Sequence, residues 1–254
     1  MKYTQGKYLL LKKSVLAKQI YDFTILCPDI AQNACVGQFV HILPVGHTLR
    51  RPISICQINK DKGTLRIVFE AKGDGTTELA DTPQGANLDI VGPLGHGFTL
   101  IPDINKAVIA GGGIGVPPLL PLAQYYGSKA TVILGFRSAD AVILKKDFED
   151  TGARVIICTD DGSAGVHGLV TEPLKLEAEN ADVVMSCGPM PMLKAIAAVS
   201  DQADIPCQVS LEERMGCGVG ACLVCACKVK KNGEECFGHV CKDGPVFDSK
   251  EVMW

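Results

Sequence analysis

In the stretch Leu211-Glu-Glu-Arg-Met-Gly-Cys217-Gly-Val-Gly-Ala-Cys222-Leu-Val-Cys225-Ala-Cys227, three cysteines stand at the spacing C-x4-C-x2-C. Plant-type ferredoxin loops use this spacing to hold three of the four thiolates of a [2Fe-2S] cluster. The interleaved glycines fit this chemistry, because a loop around inorganic sulfides needs nearby backbone N–H groups and φ values that glycine adopts freely. The stretch therefore predicts an iron–sulfur site with Cys217, Cys222 and Cys225 among its ligands.

A hairpin that follows this loop indicates the fourth ligand. Lys231-Asn232-Gly233-Glu234 lies between two strand-like runs and predicts a two-residue turn. In the register that this turn sets, Val229 is paired with Cys236, Cys227 with Gly238, and Cys225 with Val240. Cys236 would then lie roughly 13 Å along the ribbon from Cys225, too far to share a cluster with it. Cys241 returns beside Cys225 and is the predicted ligand, provided that the strand has ended or bulged there; Cys227 remains the alternative.

A structural zinc site is the main alternative for these cysteines. Zinc usually takes two C-x2-C pairs, whereas this stretch has one such pair, Cys222 and Cys225, plus isolated cysteines. Disulfides are disfavoured, because the polar start Met1-Lys-Tyr-Thr-Gln is not a signal peptide and we expect a cytoplasmic protein. The spacing favours iron over zinc, and the twelve cysteines in 254 residues favour metal binding over disulfides.

Composition excludes several classes of function. The chain is long enough for one large or two to three small domains, and 47% hydrophobic residues can fill their cores. A net charge of -3 and a pI near 6.0 give no electrostatic footprint for nucleic acid. The longest uncharged run, residues 107–128, contains five glycines and three prolines, a poor composition for a membrane helix. We expect neither a nucleic acid partner nor a membrane span.

Residues 1–100 predict an antiparallel β-barrel, because short strand-like runs alternate with turn residues. The expected strands are residues 21–27, 39–43, 53–58, 65–69 and 88–91. Within this domain, Arg50-Arg51-Pro52-Ile53-Ser54 can place a guanidinium group on a phosphate. Glycines in Gly73-Asp74-Gly75-Thr76-Thr77 lead into a helical turn whose free N–H groups attract a pyrophosphate. The alternative for the second segment is an ordinary capping box with Thr76 or Thr77 as the N-cap.

Residues 101–206 predict an α/β domain in which strands and helices alternate, and therefore a parallel sheet with helices on both faces. The expected strands are residues 107–110, 131–134, 154–158, 182–186 and 208–211; the expected helices are residues 119–126, 141–150, 170–179 and 192–203. Residues 207–254 form the predicted cluster domain.

Ligands on such sheets bind beyond the carboxyl ends of the strands, and three strand ends here have suitable turns. Gly111-Gly112-Gly113-Ile114-Gly115 can bring backbone close to a dinucleotide phosphate. The standard dinucleotide-binding fingerprint also has a final glycine and an acidic residue after the second strand, and this sequence lacks both. Asp160 and Asp161 can accept from ribose hydroxyls or form an ordinary solvated turn. Cys187-Gly188-Pro189 is a tight turn whose cysteine is otherwise a buried thiol.

Taken in order, these motifs resemble one known superfamily. Arg-Pro-x-Ser, Gly-x-Gly-Thr, Gly-Gly-Gly-x-Gly-x-x-Pro and Cys-Gly-Pro-x-x-Met resemble the ferredoxin-NADP reductase superfamily. The cysteine spacing together with Val240-Cys241-Lys-Asp-Gly-Pro-Val-Phe narrows the resemblance to the electron transfer subunits of type B dihydroorotate dehydrogenases. The resemblance covers essentially the whole chain.

The resemblance implies cofactors and the residues that bind them. FAD would be bound by Arg51, Pro52, Ile53, Ser54, Val68, Phe69, Glu70, Gly75 and Thr76. The NAD(H) site would be lined by Gly111, Gly112, Gly113, Gly115, Asp160, Cys187, Gly188 and Pro189. The cluster ligands would be Cys217, Cys222, Cys225 and Cys241. We expect NADH rather than NADPH as the substrate, because Asp160 is acidic and the site has no cluster of basic residues apart from Arg137.

The resemblance also implies a relay and a partner. NAD(H) exchanges electrons in pairs, whereas a [2Fe-2S] cluster accepts one electron at a time. A flavin between them can convert two-electron transfer into one-electron transfer. No residue is then required as a catalytic acid or base. The partner would be an FMN-containing dihydroorotate dehydrogenase catalytic subunit, in a heterotetramer with two chains of each kind. The alternatives are a subunit of another flavin and iron–sulfur NAD(P)H oxidoreductase complex, or a zinc-stapled interaction module.

Overall fold

The computed structural model describes residues 3–231 and 233–254. Its first part is a closed barrel of six antiparallel strands in the order β1-β2-β5-β4-β3-β6. The strands are β1 (Thr4–Ala17), β2 (Ile20–Leu26), β3 (Phe39–Leu43), β4 (Arg51–Asn59), β5 (Thr64–Glu70) and β6 (Asn87–Leu94). Alternate apolar side chains of these strands point inward and fill the barrel, among them Phe23, Ile42, Ile55 and Ile67. The predicted barrel is confirmed.

Three elements of the barrel domain differ from the prediction. The long first strand, β1, has no predicted counterpart, because its apolar run Leu9-Leu10-Leu11 interrupts the alternation that marks a strand. The predicted break at Cys27-Pro28-Asp29 is the start of a short helix, α1 (Pro28–Asn33), with proline in its first turn. The predicted helical turn is α2 (Asp74–Asp81), which begins before both threonines proposed as caps.

The second part is built on six parallel strands in the order β10-β9-β8-β7-β11-β12. The strands are β7 (Ala107–Gly112), β8 (Ala130–Phe136), β9 (Arg154–Thr159), β10 (Val166–His167), β11 (Val183–Cys187) and β12 (Cys207–Ser210). Because all six run the same way, their carboxyl ends meet at one edge of the sheet.

Helices cover both faces of this sheet, as predicted. They are α3 (Leu120–Tyr126), α4 (Lys145–Glu149), α5 (Thr171–Glu177) and α6 (Met190–Gln202). Leu122 and Phe148 of α3 and α4 share one apolar core with one set of strand residues, while Leu174 and Leu193 of α5 and α6 share a second core with the alternate set. The helix predicted over residues 141–150 is shorter, because Leu144 has a φ of 59° and stands just before the helix begins.

The last part is a hairpin followed by a strand that joins the parallel sheet. The hairpin strands are β13 (Ala226–Lys231) and β14 (Glu234–His239); Asn232, in the predicted two-residue turn, lies outside the described residues. β15 (Val246–Asp248) pairs antiparallel with β12 and gives the sheet its seventh strand. The three-domain division at residues 100 and 206 stays a prediction, and the sheet extends across its second boundary because β12 begins at Cys207.

Arg66 links the barrel to the α/β part. Its guanidinium group donates two parallel hydrogen bonds to Asp22 on the neighbouring barrel strand, at 3.0 and 2.9 Å, and a further one to Asp147 of α4. Bidentate pairs of this kind fix geometry as well as charge. Arg66 thereby joins two barrel strands to helix α4 of the α/β part. Among the described residues, we find no helix of the length and apolarity needed to cross a bilayer.

Candidate functional site

The loop around Cys217, Cys222 and Cys225 directs backbone N–H groups at cysteine sulfurs. Three amides approach the Cys217 sulfur, and the amide of Gly220 donates to the Cys241 sulfur at 3.2 Å. The three amides that donate to Cys217 belong to Val219, Ala221 and Cys222, at 3.4, 3.2 and 3.4 Å. Gly218 and Gly220 have φ values of 74° and 83°, which allow the loop to turn its amides inward. Such a nest of amides stabilises thiolates and sulfides.

The hairpin register is the one that the sequence predicts. Cys227 is opposite Gly238 and Val229 is opposite Cys236, and the Val240 amide donates to the Cys225 carbonyl at 3.0 Å. β14 ends at His239, so Cys241 is free of the strand alternation. Its amide donates to the Cys225 sulfur at 3.4 Å. Cys241 therefore lies beside Cys225, whereas Cys236 is exposed further along the ribbon.

The four thiols are arranged as two pairs. Hydrogen bonds join Cys217 to Cys222, and others join Cys225 to Cys241. Among the described residues, no three His, Cys, Asp or Glu side chains converge closely enough to hold a single metal ion. A zinc ion needs four ligands around one point, whereas a [2Fe-2S] cluster has two irons, each with its own pair of cysteines. The paired arrangement fits the binuclear cluster.

The pKa values of two of these thiols are shifted in opposite directions. Partial burial opposes ionisation of Cys217. Hydrogen bonds to its sulfur nevertheless lower its pKa to about 6; they come from the amides of Val219, Cys222 and Ala221 and from the Cys222 side chain. Burial and the adjacent Cys225 raise the pKa of Cys241 to about 12, against the effect of the Gly220 amide. Metal binding releases protons from such thiols, since thiolates are the ligands.

The structure brings together the two segments of the barrel domain that are predicted to bind phosphate. Arg51 begins β4, and its Nη1 donates to the Leu49 carbonyl at 2.7 Å. A methyl group added to Gly75 would lie 2.5 Å from the guanidinium carbon of Arg51, so the guanidinium lies directly against the first turn of α2. Thr76 caps that turn, because its Oγ1 accepts hydrogen bonds from the amides of Lys72 and Gly73 at 3.0 and 3.1 Å. The N-cap itself is Gly73.

The other predicted flavin residues divide between the inside and the outside of the barrel. The side chains of Ile53 and Phe69 are buried in the barrel core, where Phe69 stacks on Tyr21. They can offer only backbone to a ligand outside the barrel. Val68 points the other way and packs with the core of the α/β part. The remaining ones, partly exposed on the same strands, are Pro52, Ser54 and Glu70.

Two predicted nicotinamide segments are in direct contact at the carboxyl edge of the sheet. Gly111 of β7 is paired with Cys187 of β11. A methyl group added to Gly115 would lie 2.6 Å from the Cys187 carbonyl oxygen and from the Gly188 nitrogen. One added to Gly112 would lie 3.2 Å from Pro189. Gly113, with a φ of 53°, has open space where its side chain would be. The glycines therefore let two loops meet backbone to backbone.

Asp160 and the Cys187 thiol lie at different places on this edge. Asp160 follows β9, two strands away from β7; it is exposed, and its amide donates to the Phe136 carbonyl at 3.0 Å. Burial raises the pKa of Cys187 to about 12, although the Ser210 hydroxyl opposes this shift. The Cys187 thiol is therefore protonated at neutral pH, and the turn can offer a ligand only its backbone and a neutral side chain.

His41 was missed by sequence reasoning. It is fully buried on β3, beside the loop that carries Cys217. The signal was a polar residue in the otherwise apolar run Phe39-Val-His-Ile-Leu43, but nothing in the sequence says what faces it.

Comparisons with known proteins agree with this geometry. Residues 212–253 match the model of the iron–sulfur cluster binding domain of dihydroorotate dehydrogenase B. The chain is 42% identical over 249 residues to the dihydroorotate dehydrogenase B (NAD(+)) electron transfer subunit of Desulforamulus reducens, covering 94% of this chain and 95% of that one. The Geobacillus thermodenitrificans subunit of that name is 41% identical over 253 residues, covering 96% of both chains.

Solved structures show the same fold. A structure of NADH-dependent reduced ferredoxin-NADP oxidoreductase, described in connection with flavin-based electron bifurcation, superposes with a TM-score of 0.86. It is 30% identical and covers 98% of this chain and 90% of its own. The ferredoxin reductase of carbazole 1,9a-dioxygenase superposes with a TM-score of 0.68 at 17% identity, over 81% of this chain and 68% of its own, and shows the fold alone.

Proposed function

This chain belongs to the family of electron transfer subunits of NAD(+)-dependent dihydroorotate dehydrogenase B, and from that membership we propose that it relays electrons from a partner subunit to NAD+. The path runs from the partner's FMN through a [2Fe-2S] cluster and FAD, during oxidation of dihydroorotate to orotate. The observation that carries the proposal is the paired set of four cysteines with amides directed at their sulfurs.

The cluster is held by Cys217, Cys222, Cys225 and Cys241. Three features support this set: the two pairs, the inward amides, and the position of Cys241 beyond the end of β14. Cys227 is left out of the proposed set; its sulfur contacts the Gly238 carbonyl, at 3.6 Å, on the hairpin. When bound, the cluster takes up single electrons and FAD exchanges both single electrons and hydride.

FAD is bound on the rim of the barrel. Arg51 supplies a guanidinium for the pyrophosphate, and the first turn of α2, at Gly75 and Thr76, supplies backbone N–H groups beside it. Ser54 and Glu70 offer polar atoms at the outer edge of β4 and β5, Pro52 and Val68 shape the apolar floor, and Ile53 and Phe69 offer only backbone. Because Val68 also packs against the α/β core, the flavin site lies between the two parts.

NAD(H) is bound at the carboxyl edge of the sheet. The backbone of Gly111 to Gly115 and the turn Cys187-Gly188-Pro189 allow a close approach of the dinucleotide, and Asp160 accepts hydrogen bonds from ribose. No residue of the chain has to act as an acid or base, because the protein supplies binding and orientation and the cofactors supply the chemistry. The chain is therefore an NAD(H)-linked oxidoreductase subunit, and oxidation of dihydroorotate is completed only with the partner.

The partner docks over the cluster loop. Cys222 is exposed, and the two residues that follow it, Leu223 and Val224, expose 61% and 57% of their surface. Exposed apolar side chains grouped at a redox centre are typical of a protein interface. The proposed partner is the FMN-containing catalytic subunit, in a cytoplasmic heterotetramer with two chains of each kind.

A second candidate is a subunit of another flavin and iron–sulfur complex, which the 30% identity to NADH-dependent reduced ferredoxin-NADP oxidoreductase favours. The two functions differ in the partner. Co-purification with an FMN enzyme active on dihydroorotate supports the first function, and transfer to ferredoxin without such a partner supports the second. The zinc-stapled module is disfavoured by the paired thiols.

The test is the visible spectrum of the protein purified without oxygen, before and after addition of NADH. We expect about two irons, two sulfides and one FAD per chain, and loss of flavin and cluster absorbance together when NADH is added. A colourless protein with one zinc and no flavin would contradict the proposal.

A further inference from the structure

His41 lies at the boundary between the barrel and the cluster loop. Its neighbours on β3, Val40 and Ile42, point into the barrel core, so His41 points outward, on the same side as Phe39. Phe39 packs in the apolar core that includes Cys225 and Cys241. His41 has 0% exposure. A polar side chain is thus fully buried on the face of the barrel that meets the cluster domain.

The imidazole ring is in contact with the loop that carries the first predicted ligand. A methyl group added to Gly218 would lie 2.5 Å from the Nδ1 atom of His41, so only a residue without a side chain allows the loop to approach the ring. Gly218 follows Cys217 directly. On the other side, His41 is paired with Pro52 of β4, next to Arg51 of the proposed flavin site. The ring therefore lies between the two proposed redox sites.

Neither ring nitrogen has a hydrogen-bond partner, and no other buried side-chain nitrogen or oxygen among residues 3–231 and 233–254 is left in this state. The backbone carbonyls of Arg50 and Cys217 lie near the ring, but neither reaches hydrogen-bond geometry. A neutral imidazole carries one N–H donor, and burying it without an acceptor costs free energy.

We propose that His41 is a positioning residue that donates a hydrogen bond from Nδ1 to a sulfur at the Cys217 end of the bound cluster. The inference rests on the proposed function, because it requires the cluster. Hydrogen bonds to sulfur raise the reduction potential of an iron–sulfur cluster, since they stabilise the more negative reduced state. His41 would then tune the reduction potential of the cluster without touching substrate.

The test compares three variants of the full chain loaded with cluster and FAD. His41→Leu removes the donor, His41→Asn keeps an N–H near the Nδ1 position, and His167→Leu removes an exposed histidine of β10. EPR-monitored redox titration measures the cluster midpoint potential. We expect His41→Leu to lower the reduced-to-oxidised ratio at a fixed potential roughly tenfold, a shift of about 59 mV for one electron. His41→Asn should restore much of this shift, and His167→Leu should match the unmodified protein.

A second measurement detects the contact directly in the unmodified protein. In the unmodified protein labelled with ¹⁵N-histidine, pulsed EPR of the reduced cluster should show coupling to a histidine nitrogen, and this coupling should be lost in His41→Asn labelled in the same way if the signal comes from His41. Absence of any histidine coupling, or an unchanged midpoint in a fully loaded His41→Leu, overturns the inference and leaves the proposed function intact. Unmodified protein without iron overturns the proposed function itself.

Discussion

The guanidinium group of Arg51 lies against the Cα atom of Gly75, so closely that a methyl group on Gly75 would be 2.5 Å from the guanidinium carbon. The two residues are on different elements, β4 and α2. Their contact joins a side-chain cation to the first turn of a helix, and both attract phosphate.

Gly75→Ala should displace Arg51 and weaken FAD binding by roughly 10- to 100-fold, the effect of losing one or two charge-assisted hydrogen bonds. The measurement is FAD affinity by fluorescence on flavin-depleted protein. Gly73→Ala is the matched control, because a methyl group there meets nothing within 4 Å. Equal FAD affinity in the two variants would contradict the placement of the pyrophosphate.

Gly115→Ala should weaken NAD(H) binding and leave both resident cofactors in place. The added methyl group would meet the backbone of Cys187 and Gly188 at 2.6 Å, and backbone, unlike the end of a flexible side chain, must shift as a whole. We expect KM for NADH to rise roughly tenfold, about 1.4 kcal/mol, with unchanged iron and FAD content. An unaltered KM would place the dinucleotide away from these turns.

Cys241→Ser should lose the cluster, whereas Cys236→Ser should keep it. Cys241 is 1% exposed, and its sulfur accepts a hydrogen bond from the Gly220 amide. Cys236, in contrast, is exposed on β14 opposite Val229. Iron and sulfide analysis with the visible spectrum reports the outcome. The opposite result would show that the hairpin register does not select the fourth ligand.

Val224→Asp should weaken association with the catalytic partner by roughly tenfold or more, because it puts a charge into the apolar surface of the cluster loop. Leu176→Asp is the control, since Leu176 is 76% exposed on α5, on a different element from the cluster loop. Partner affinity is measured by titration calorimetry, after iron content has been checked. If both variants bind equally well, the partner docks elsewhere.

The sequence by itself determined the local geometry. A two-residue turn fixes cross-strand register, so the pairing of Cys227 with Gly238 followed from the position of Asn232-Gly233 alone. Apolar runs of strand length alternating with helices gave the parallel sheet, because the period of a side-chain pattern is a local property. The N-cap of α2 and the length of α4 were less accurate, because helix ends depend on single backbone conformations such as that of Leu144.

Only the tertiary structure decided which of these local pieces meet. Arg51 and Gly75 are 24 positions apart in the sequence, and His41 and Gly218 are 177 positions apart, yet each pair is in contact. Such contacts depend on how the barrel closes and how the cluster loop packs on it, which is set by the summed burial of many apolar side chains. The sequence could therefore predict the cluster loop and the hairpin register, but not that a buried histidine without a hydrogen-bond partner faces the loop.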